Sequence, residues 1–417
     1  MRKNYVLMTM ALVGVMTAGM AITSLAGWVQ TNGNWYYYND RNNEMVRDEW
    51  APSGDNMYYL GHDGIMKTNS FIDETYYVDA NGAMVKNGWQ YFSDDWDEEP
   101  KWRYFASSGR AYEDGMKQID GVYYHFSDTE MSTGWVDIDN EVYYFNESGA
   151  RVSGWRELPG RDEDDWDEYW YYFTSAGKMV KKTTREIQDA LYIFDEEGRM
   201  LTGWVNISDF TSTLRDDLSS GDFDNLRYFE ESGAAANGWK YMDSAHDLEA
   251  SWYYFRDGRP YSTNYKATEV GDYGMVKINN EYYCFDEEGK LVTGLVEANG
   301  KYFYFDDENG QMQTGKMTVY SDDFYNEIFY FATSGSVGER GAGVTGVKDG
   351  YLYEDGLLVK AEDGIKYDCV EVGGKEYVVN ESGKVKTSGT AKSSEGVKYT
   401  IKKNSNGTYD IKVEYDD

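Results

Sequence analysis

One short pattern of apolar and polar positions recurs along almost the whole chain. Paired aromatic residues are followed by a polar turn that contains glycine, then by an apolar residue, often methionine, and then by Gly-Trp. The segments TYYVDANGAMVKNGW, VYYFNESGARVSGW and LYIFDEEGRMLTGW, which end at Trp89, Trp155 and Trp204, show this pattern. A period of about 20 residues that is sustained this long predicts a repeat architecture rather than a single globular core.

Each repeat predicts a β-hairpin, because aromatic residues separated by regular glycine-containing turns favour strands and tight connections. We expect the first strand to hold the aromatic residues, the turn glycine to take a positive φ, and the apolar residue to begin the return strand. Gly-Trp then leads into the next repeat. The turn glycines are Gly82, Gly149, Gly177, Gly198, Gly233 and Gly289, and the residues after the turn are Met84, Met131, Met179, Met200, Leu291 and Met312.

These hairpins are predicted to stack, because an isolated two-stranded hairpin is marginally stable at best in water. Repeats that share their apolar faces with neighbours supply the missing burial. The fold class that follows is all-β: an elongated β-solenoid of about fifteen aromatic repeats. The alternation of apolar residues over 397–415, around the polar turn 404–407, predicts a terminal hairpin that caps the stack.

Acidic insertions interrupt the repeats at 93–102, 157–170, 206–226 and 321–327. Insertions of this kind map to loops on one side of a solenoid, where they are simply solvated. The alternatives are a loop that contacts a ligand and, for one insertion, a Ca²⁺ site. Asp162, Asp164 and Asp165 supply carboxylate oxygens there, although their spacing matches no EF-hand loop.

The N-terminus has the pattern of a secretory signal peptide. Arg2 and Lys3 precede an apolar stretch over 5–22, and the small residues Ser24 and Ala26 mark a cleavage site. An uncleaved anchor is the alternative, although the apolar stretch is near the lower length limit for spanning a bilayer. We therefore predict a signal peptide over 1–26, a repeat solenoid over 27–340, degenerate repeats over 341–385, and a linker with the capping hairpin over 386–417.

Composition narrows the range of partners. The net charge is -34, and the 417 residues include 40 tyrosines and 13 tryptophans. Nucleic acid is excluded as a partner because no basic stripe exists to replace counterions on phosphate. Docking on an anionic membrane after signal cleavage is disfavoured for the same reason, whereas a cationic ligand is compatible with the charge.

No catalytic or metal constellation stands out from the repeats. The histidines His62, His125 and His246 lie in a turn, an aromatic position and a polar insertion, and no Ser/His/Asp or Cys/His arrangement accompanies them. Cys284 and Cys369 lie in distant repeats, so we predict two small core residues rather than a disulfide. The sequence therefore indicates no enzyme, no cofactor and no metal.

The repeat STGWVDIDNEVYYFNESGARVSGW at 132–155 closely resembles the cell-wall-binding repeat of Gram-positive surface proteins, a family that includes choline-binding and glucan-binding modules. It is also similar to the short carbohydrate-binding repeats of large clostridial toxins. The segment GWVQTNGNWYYYNDRNNEM at 27–45 is nearest to the choline-binding form. The resemblance covers essentially all of the chain after the signal peptide.

The resemblance implies ligand sites between consecutive hairpins. Each aromatic cage would combine the tryptophan of Gly-Trp, the first aromatic residue of the next strand and a tyrosine of a neighbouring unit. The residues at matching positions are Trp28, Trp35, Tyr37, Trp89, Trp102, Trp155, Trp170, Tyr172, Trp239, Trp252 and Tyr254. Other units depart from the pattern, with Val122, Val142 and Leu191 in place of the second tryptophan, and Leu295, Lys316 and Val347 in place of the first.

The function that the resemblance implies is multivalent, non-covalent attachment of an exported, non-catalytic protein to the cell wall or cell surface. The partner would be a choline-bearing teichoic acid, a glucan or another carbohydrate. One alternative is a structural spacer or coat protein whose aromatic residues only pack. Another is a cell-wall hydrolase with an unrecognised catalytic part.

Overall fold

The computed structural model describes residues 27–39, 41, 44–92, 101–162, 165, 167–212, 223–245 and 249–415. The predicted signal peptide, Asp164, His246, most of the insertion at 93–102 and part of the insertion at 206–226 lie outside these residues. The described residues form 39 β-strands and one 3-10 turn at Phe223–Asn225, arranged in fifteen small sheets. The predicted all-β class of hairpin repeats is confirmed. None of the described residues belongs to a helix that is long and apolar enough to cross a membrane.

The chain divides into two compact units, of which the first comprises residues 1–155 and 173–179. Its described strands are β1 (Trp28–Thr31), β2 (Asn34–Tyr37), β3 (Glu49–Ser53), β4 (Asn56–Leu60), β5 (Ser70–Ile72), β6 (Tyr76–Val78), β7 (Gly88–Phe92), β8 (Lys101–Phe105), β9 (Gly115–Ile119), β10 (Val122–Ser127), β11 (Glu130–Met131), β12 (Gly134–Ile138) and β13 (Glu141–Phe145). The next two strands, β14 (Gly154–Pro159) and β15 (Glu168–Phe173), contribute residues to both units.

The second unit comprises residues 156–172 and 180–417. Its further strands are β16 (Thr183–Ile187), β17 (Ala190–Phe194), β18 (Gly203–Asn206), β19 (Thr211–Ser212), β20 (Leu226–Phe229), β21 (Gly238–Asp243), β22 (Ala250–Arg256), β23 (Arg259–Pro260), β24 (Thr268–Val270), β25 (Tyr273–Ile278), β26 (Glu281–Phe285), β27 (Leu291–Val292), β28 (Gly294–Ala298), β29 (Lys301–Phe305), β30 (Gly315–Tyr320), β31 (Tyr325–Phe331), β32 (Gly346–Lys348), β33 (Tyr351–Glu354), β34 (Leu357–Val359), β35 (Tyr367–Val372), β36 (Lys375–Asn380), β37 (Gly389–Lys392), β38 (Val397–Lys403) and β39 (Tyr409–Tyr415). The hairpin predicted over 397–415 is present as β38 and β39, and β37 adds a third strand to it.

The strand pairing corrects the predicted hairpin. In the repeats with Gly-Trp, the main antiparallel ladder joins the Gly-Trp strand to the aromatic strand that follows it, as where Trp135 faces Tyr144. The turn of that hairpin consists of Asp139 and Asn140, whose φ values are 52° and 65°. Positive φ at both central residues is typical of the type I′ turn, which matches the twist of paired strands. The glycine-containing loop that we assigned to the hairpin turn returns instead through a single bridge, between Phe145 and Arg151.

One backbone hydrogen bond recurs between consecutive hairpins. The residue after the glycine loop donates its amide to the carbonyl of an aromatic strand in the preceding hairpin. The Arg151 amide, for example, lies 2.8 Å from the Tyr123 carbonyl oxygen. The same contact joins Met84 to Met57, Met200 to Trp170, and Met312 to Tyr282.

The glycine and the methionine of the repeat are partners across the same junction. Gly149 has a φ of 75°, and a Cβ at this position would overlap the thioether of Met131. Both requirements favour glycine, because a left-handed backbone and a covering side chain leave no room for a Cβ. The same arrangement joins Gly64 to Met45, Gly82 to Met66, Gly109 to Met84, Gly233 to Met200 and Gly341 to Met312.

The phenylalanines that end the aromatic strands are among the most deeply buried side chains of the core. At most 1% of the surface is exposed for Phe105, Phe126, Phe145, Phe173, Phe194, Phe229, Phe255, Phe285 and Phe305. Cys284 lies in such a core beside Met275 and Phe303, and burial raises the pKa of its thiol. Cys369 is half-buried, and both thiols are free. The prediction of a core role is confirmed for Cys284.

Candidate functional site

Tryptophan and phenylalanine occupy different environments in the repeats. Each tryptophan among the described residues is half-buried or exposed, and 43% of Trp170 and 44% of Trp252 is accessible. Because large apolar side chains that only pack tend to be buried, this difference indicates that the indoles line open surface. The two most exposed indoles, Trp170 and Trp252, lie on the aromatic strands of their hairpins.

The first predicted set of cage residues comes together between β1, β2 and β4. The ring centroid of Trp28 lies 6.5 Å from that of Trp35, and the ring planes make an angle of 77°. Tyr37 lies 5.1 Å from Trp28 on the same hairpin, and Tyr58 of the next hairpin lies 5.4 Å from it. The indole Nε1 of Trp28 donates a hydrogen bond to the carbonyl oxygen of Pro52 at 3.3 Å, which fixes the orientation of the ring.

The second set repeats this geometry in the same unit. Trp89 and Trp102 have centroids 6.5 Å apart and ring planes at 84°. Tyr104 lies 5.1 Å from Trp89, and Tyr124 of the next hairpin lies 4.8 Å from it. Phe126, which is fully buried, stacks at 5.9 Å with an interplanar angle of 22° and supports the indole from the core.

The third set lies in the second unit. Trp239 and Trp252 have centroids 6.4 Å apart and ring planes at 81°. Tyr254 lies 5.1 Å from Trp239, and Tyr283 lies 4.8 Å from it. Three sets of residues that are far apart in the sequence therefore share one arrangement.

A nearly perpendicular pair of indoles forms two walls of a corner. A point about 4.6 Å from each of two perpendicular rings is consistent with centroids about 6.5 Å apart, and cations are attracted within about 6 Å of a ring centroid. Two rings at this separation therefore both lie within range of a cation placed between their faces. The tyrosines supply further ring surface beside the corner.

Trp155, Trp170 and Tyr172 form the fourth predicted set, and ligand binding stays a prediction for all four sets. Trp155 lies on β14, and Trp170 and Tyr172 lie on β15. The guanidinium carbon of Arg185 lies 5.9 Å from the ring centroid of Tyr172. A ring of this set thus already attracts a cation of the protein itself.

Sequence reasoning missed one aromatic set in the first unit. Trp50 lies 5.2 Å from Tyr59 on its own hairpin and 5.5 Å from Tyr76 on the next one. Glu49 stands in place of the glycine of Gly-Trp, so the Gly-Trp motif does not identify Trp50. Asp48, which precedes Glu49, takes the positive φ of 51°. An aspartate or asparagine before an isolated tryptophan was therefore the available signal.

The tyrosines of the neighbouring hairpin were also missing from the predicted sets. Tyr58, Tyr124 and Tyr283 each lie two residues before the buried residue near the end of the aromatic strand, such as Leu60 or Phe126. Tyr104, which faces Trp89 across the ladder, was missed as well. The position two residues before the core phenylalanine identifies the contributing tyrosine in later repeats too.

Carboxylates lie close to two of these sets. Burial and then the Asp120 carboxylate raise the pKa of Tyr124, and both also raise the pKa of Tyr104. Burial, Asp48 and Asp73 raise the pKa of Tyr59 in the same way. The phenols are therefore neutral at pH 7, and the field around them favours a cation.

The histidines and acidic residues show no catalytic arrangement in the described part of the chain. His62 is exposed and forms a hydrogen bond with Asp48 at 2.9 Å. The Nδ1 of His125 lies 2.9 Å from the Ser132 hydroxyl, and burial lowers the pKa of this imidazole. Within the described residues, no group of three or more His, Cys, Asp or Glu side chains could hold a metal ion. The suggested Ca²⁺ site includes Asp164, which lies outside them.

Comparisons with known proteins identify the repeats. Models described as choline-binding repeats match residues 44–84 and 273–316, and a model described as a putative cell wall binding repeat matches residues 26–41 and 133–150. The matched segments are therefore similar to choline-binding and cell-wall-binding repeats. The Trp28 set lies in one cell-wall-binding repeat, and the Trp50 set, which sequence reasoning missed, lies in a choline-binding repeat.

Curated relatives include two streptococcal enzymes. Glucosyltransferase-I of Streptococcus downei is 25% identical over 241 residues, which is 51% of this chain and 14% of the enzyme. Glucosyltransferase-S of Streptococcus mutans is 26% identical over 320 residues, which is 73% of this chain and 19% of the enzyme. The chain thus spans less than a fifth of the length of either relative.

A solved structure with a similar repeat region is the modular autolysin LytC from Streptococcus pneumoniae in complex with a synthetic peptidoglycan ligand. It is 18% identical, with a TM-score of 0.38, and the match covers 70% of this chain and 55% of LytC.

Proposed function

We propose that this protein is exported, does not catalyse a reaction, and attaches non-covalently to a choline-bearing polymer of the cell wall through several aromatic corners. It would act in the secreted state or held at the cell surface. The observation that carries the proposal is the repeated corner of two indoles at 6.4–6.5 Å.

The chemistry of the corners favours a quaternary ammonium group. Such a cation has no hydrogen-bond donors and binds through the faces of several aromatic rings. The corners offer indole and phenol rings, and the Asp120 carboxylate lies near the set around Trp89. The net charge of -34 also favours cationic ligands over anionic ones. The choline-binding repeats at 44–84 and 273–316 support the same ligand.

A neutral glucan is the second candidate ligand. Both curated relatives are glucosyltransferases, so the same kind of repeat occurs in enzymes that transfer glucose units. A sugar ring binds to a flat aromatic surface with polar groups beside it. The partly exposed indoles meet this requirement.

Attachment through these corners would depend on engaging several of them at once. Three rings at about 0.5–2 kcal/mol each give roughly 1.5–6 kcal/mol, which corresponds to dissociation constants from tens of millimolar to tens of micromolar. Linked weak sites on one polymer raise the overall affinity without any new contact. We therefore infer that the repeats act together rather than through one tight site.

The proposal is tested by titrating the purified protein with choline while tryptophan fluorescence is recorded. Replacing Trp35, Trp102 and Trp252 together by valine removes one wall of each corner, and valine already occupies this position as Val142 on β13. We expect a saturable response in the wild type that falls by more than half in the triple variant. Trp204→Phe is the control, because Leu226 replaces the second tryptophan in its hairpin.

Other outcomes separate the alternatives. No response to choline, to glucan oligomers or to isolated walls would favour a spacer whose aromatic residues only pack. Soluble fragments released from peptidoglycan or glucan during incubation with the protein would favour an enzyme. A response to glucan oligomers but not to choline would identify a glucan, rather than choline, as the ligand.

A further inference from the structure

Two hairpins carry an additional exposed aromatic residue that the repeat does not require. Tyr91 on β7 is 43% exposed, and Tyr241 on β21 is 62% exposed. Each follows the tryptophan of its hairpin by two residues, so it lies on the same face of the strand. At this position β1, β12 and β14 have Gln30, Asp137 and Glu157. The fold therefore forms with a polar residue there, and packing does not explain the two tyrosines.

Both tyrosines pair with the second indole of their corner across the ladder. Tyr91 faces Trp102, with centroids 5.1 Å apart and ring planes at 62°. Tyr241 faces Trp252, with centroids 5.4 Å apart and ring planes at 52°. The two corners around Trp89 and Trp239 therefore each continue into a pair of rings that includes an exposed tyrosine, which we call the outer pair. One outer pair lies in each of the two units.

We propose that the outer pairs Tyr91–Trp102 and Tyr241–Trp252 are subsites for neutral pyranose rings of a glycan, beside the corners with which they share Trp102 and Trp252. This inference deepens the second candidate of the proposed function, because it assigns the glycan to particular residues, and it holds whether or not the corners bind choline.

The number and exposure of the rings distinguish the two ligand classes. A cation gains least at an exposed site, about 0.5–1 kcal/mol, and gains more where several rings desolvate it. Each outer pair has only two rings, of which the tyrosine is exposed, so a cation there would stay largely hydrated and gain little. A sugar ring places its C–H face against one such ring and keeps its hydroxyl groups in water.

The outer pairs also supply polar groups at the edge of the apolar surface. Tyrosine and tryptophan combine a large apolar ring with a hydrogen-bonding group at its rim, which is why they suit half-wet interfaces. The phenol of Tyr241 and the indole N–H of Trp252 are groups of this kind. The corner and the outer pair of this hairpin share Trp252. A glycan that carries a cationic substituent would therefore contact both.

The test uses the full chain and two neutral probes. Binding to dextran is measured by native electrophoresis in gels that contain it, and binding to an N-acetylglucosamine tetramer is measured by fluorescence titration. The variant combines Tyr91→Thr with Tyr241→Thr, because threonine keeps strand propensity. Tyr415→Thr is the matched control, since Tyr415 is 77% exposed and lies on β39, away from both outer pairs. Thermal melting confirms that each variant folds.

We expect at least one probe to bind, and the double variant to bind it at least threefold more weakly while Tyr415→Thr matches the wild type. Absence of binding to both probes would overturn the proposal, and so would equal affinity in the double variant. Choline is titrated in parallel. If the double variant lost its choline response as well, the tyrosines would merely support the corners, and the proposal would be wrong. A wild type that binds sugar but not choline refutes only the cation-binding corners.

Discussion

At the scale of single residues, the phenylalanines and the tryptophans of the repeat have different roles. The phenylalanine that ends an aromatic strand, such as Phe145, is fully buried, whereas the tryptophan after glycine stays partly exposed. The strand alternation explains the separation, because residues two apart share a face and neighbours do not. Stability therefore depends mainly on the phenylalanines, and binding would depend on the indoles and tyrosines.

The two kinds of glycine in the repeat should respond differently to alanine. Gly134 and Gly149 have nearly the same φ, 74° and 75°, but only Gly149 has a neighbour, Met131, where a Cβ would be. Gly134→Ala should cost about 1–2 kcal/mol for the left-handed backbone alone. Gly149→Ala should cost about 1–3 kcal/mol more, because the Met131 side chain must move. Urea denaturation of both variants measures the difference, and equal losses would contradict the Gly–Met contact.

A buried carboxylate makes one loop sensitive to pH. Burial raises the pKa of Asp286 from 3.8 to about 6, against the opposing hydrogen bond from the Lys290 amide. Between these values the folded state binds more protons than the unfolded state, so the free energy of unfolding falls as pH rises from 4 to 6. Asn146 and Asn380 hold the equivalent loop position and accept the same kind of hydrogen bond. Asparagine therefore fits the loop without the charge.

Asp286→Asn should consequently stabilise the protein at pH 7 by about 1–3 kcal/mol, and the gain should vanish near pH 4. Denaturation of wild type and variant at a series of pH values gives this difference directly. Asp79→Asn, at the equivalent loop of another repeat, controls for the removal of one negative charge from a strongly acidic chain. A gain that persists unchanged at pH 4 would rule out the buried carboxylate as its source.

At the scale of the hairpin, the sequence predicts the elements better than their partners. The aromatic strands, the glycine loops with positive φ and the repeat period follow from local chemistry, and the structure has them. The pairing of strands was assigned to the wrong neighbour, because the glycine loop was a more conspicuous turn signal than Asp139-Asn140. Which strands pair depends on which of the two turns matches the twist of the strands, and the amino-acid composition of the turns does not decide this.

The same limit applies to the site. Gly-Trp identified Trp28, Trp89 and Trp239, because the motif is local. The tyrosines Tyr58 and Tyr283 come from the next hairpin, so their contribution depends on how two hairpins pack. At several junctions an amide–carbonyl bond and a Gly–Met contact hold the hairpins together, and neither is visible in a single repeat.

Substitutions in the hairpin turn should increase the stability of the protein. Asp139 and Asn140 both have positive φ, which Asn-Gly adopts more easily, as Asn299-Gly300 does in another hairpin. Replacing Asp139 by Asn and Asn140 by Gly should stabilise the protein by about 0.5–1 kcal/mol. Glu147→Gly, in the neighbouring loop, should instead destabilise it, because glycine there adds only unfolded-state freedom. If the Asn-Gly variant lost stability in thermal and urea unfolding, the type I′ assignment would be wrong.

At the scale of the molecule, many small sheets replace one large core. Clusters of buried residues, such as Ile193, Val205 and Phe229, draw on neighbouring hairpins only. In such an arrangement the free energy of unfolding is approximately the sum of contributions from single hairpins and from the contacts between neighbouring hairpins. A single position can therefore lose its role in binding while the fold is kept. That freedom accounts for repeats such as β28–β29, where Leu295 stands in the place of the tryptophan. The aromatic corners can therefore be removed one at a time.

Variants that lack one corner or all three corners should show whether the protein binds a polymer through several corners at once. Trp35→Val, Trp102→Val and Trp252→Val each eliminate one corner of two indoles. Each single variant should retain the affinity of the remaining corners for soluble choline, yet weaken attachment to isolated walls several-fold. The triple variant should lose on the order of 10²–10³-fold, because linked sites multiply one another's contributions. Co-sedimentation with walls over a range of protein concentrations measures the attachment. A triple variant no weaker than the weakest single variant would show that one corner holds the polymer alone, and that the other repeats serve only to extend the stack.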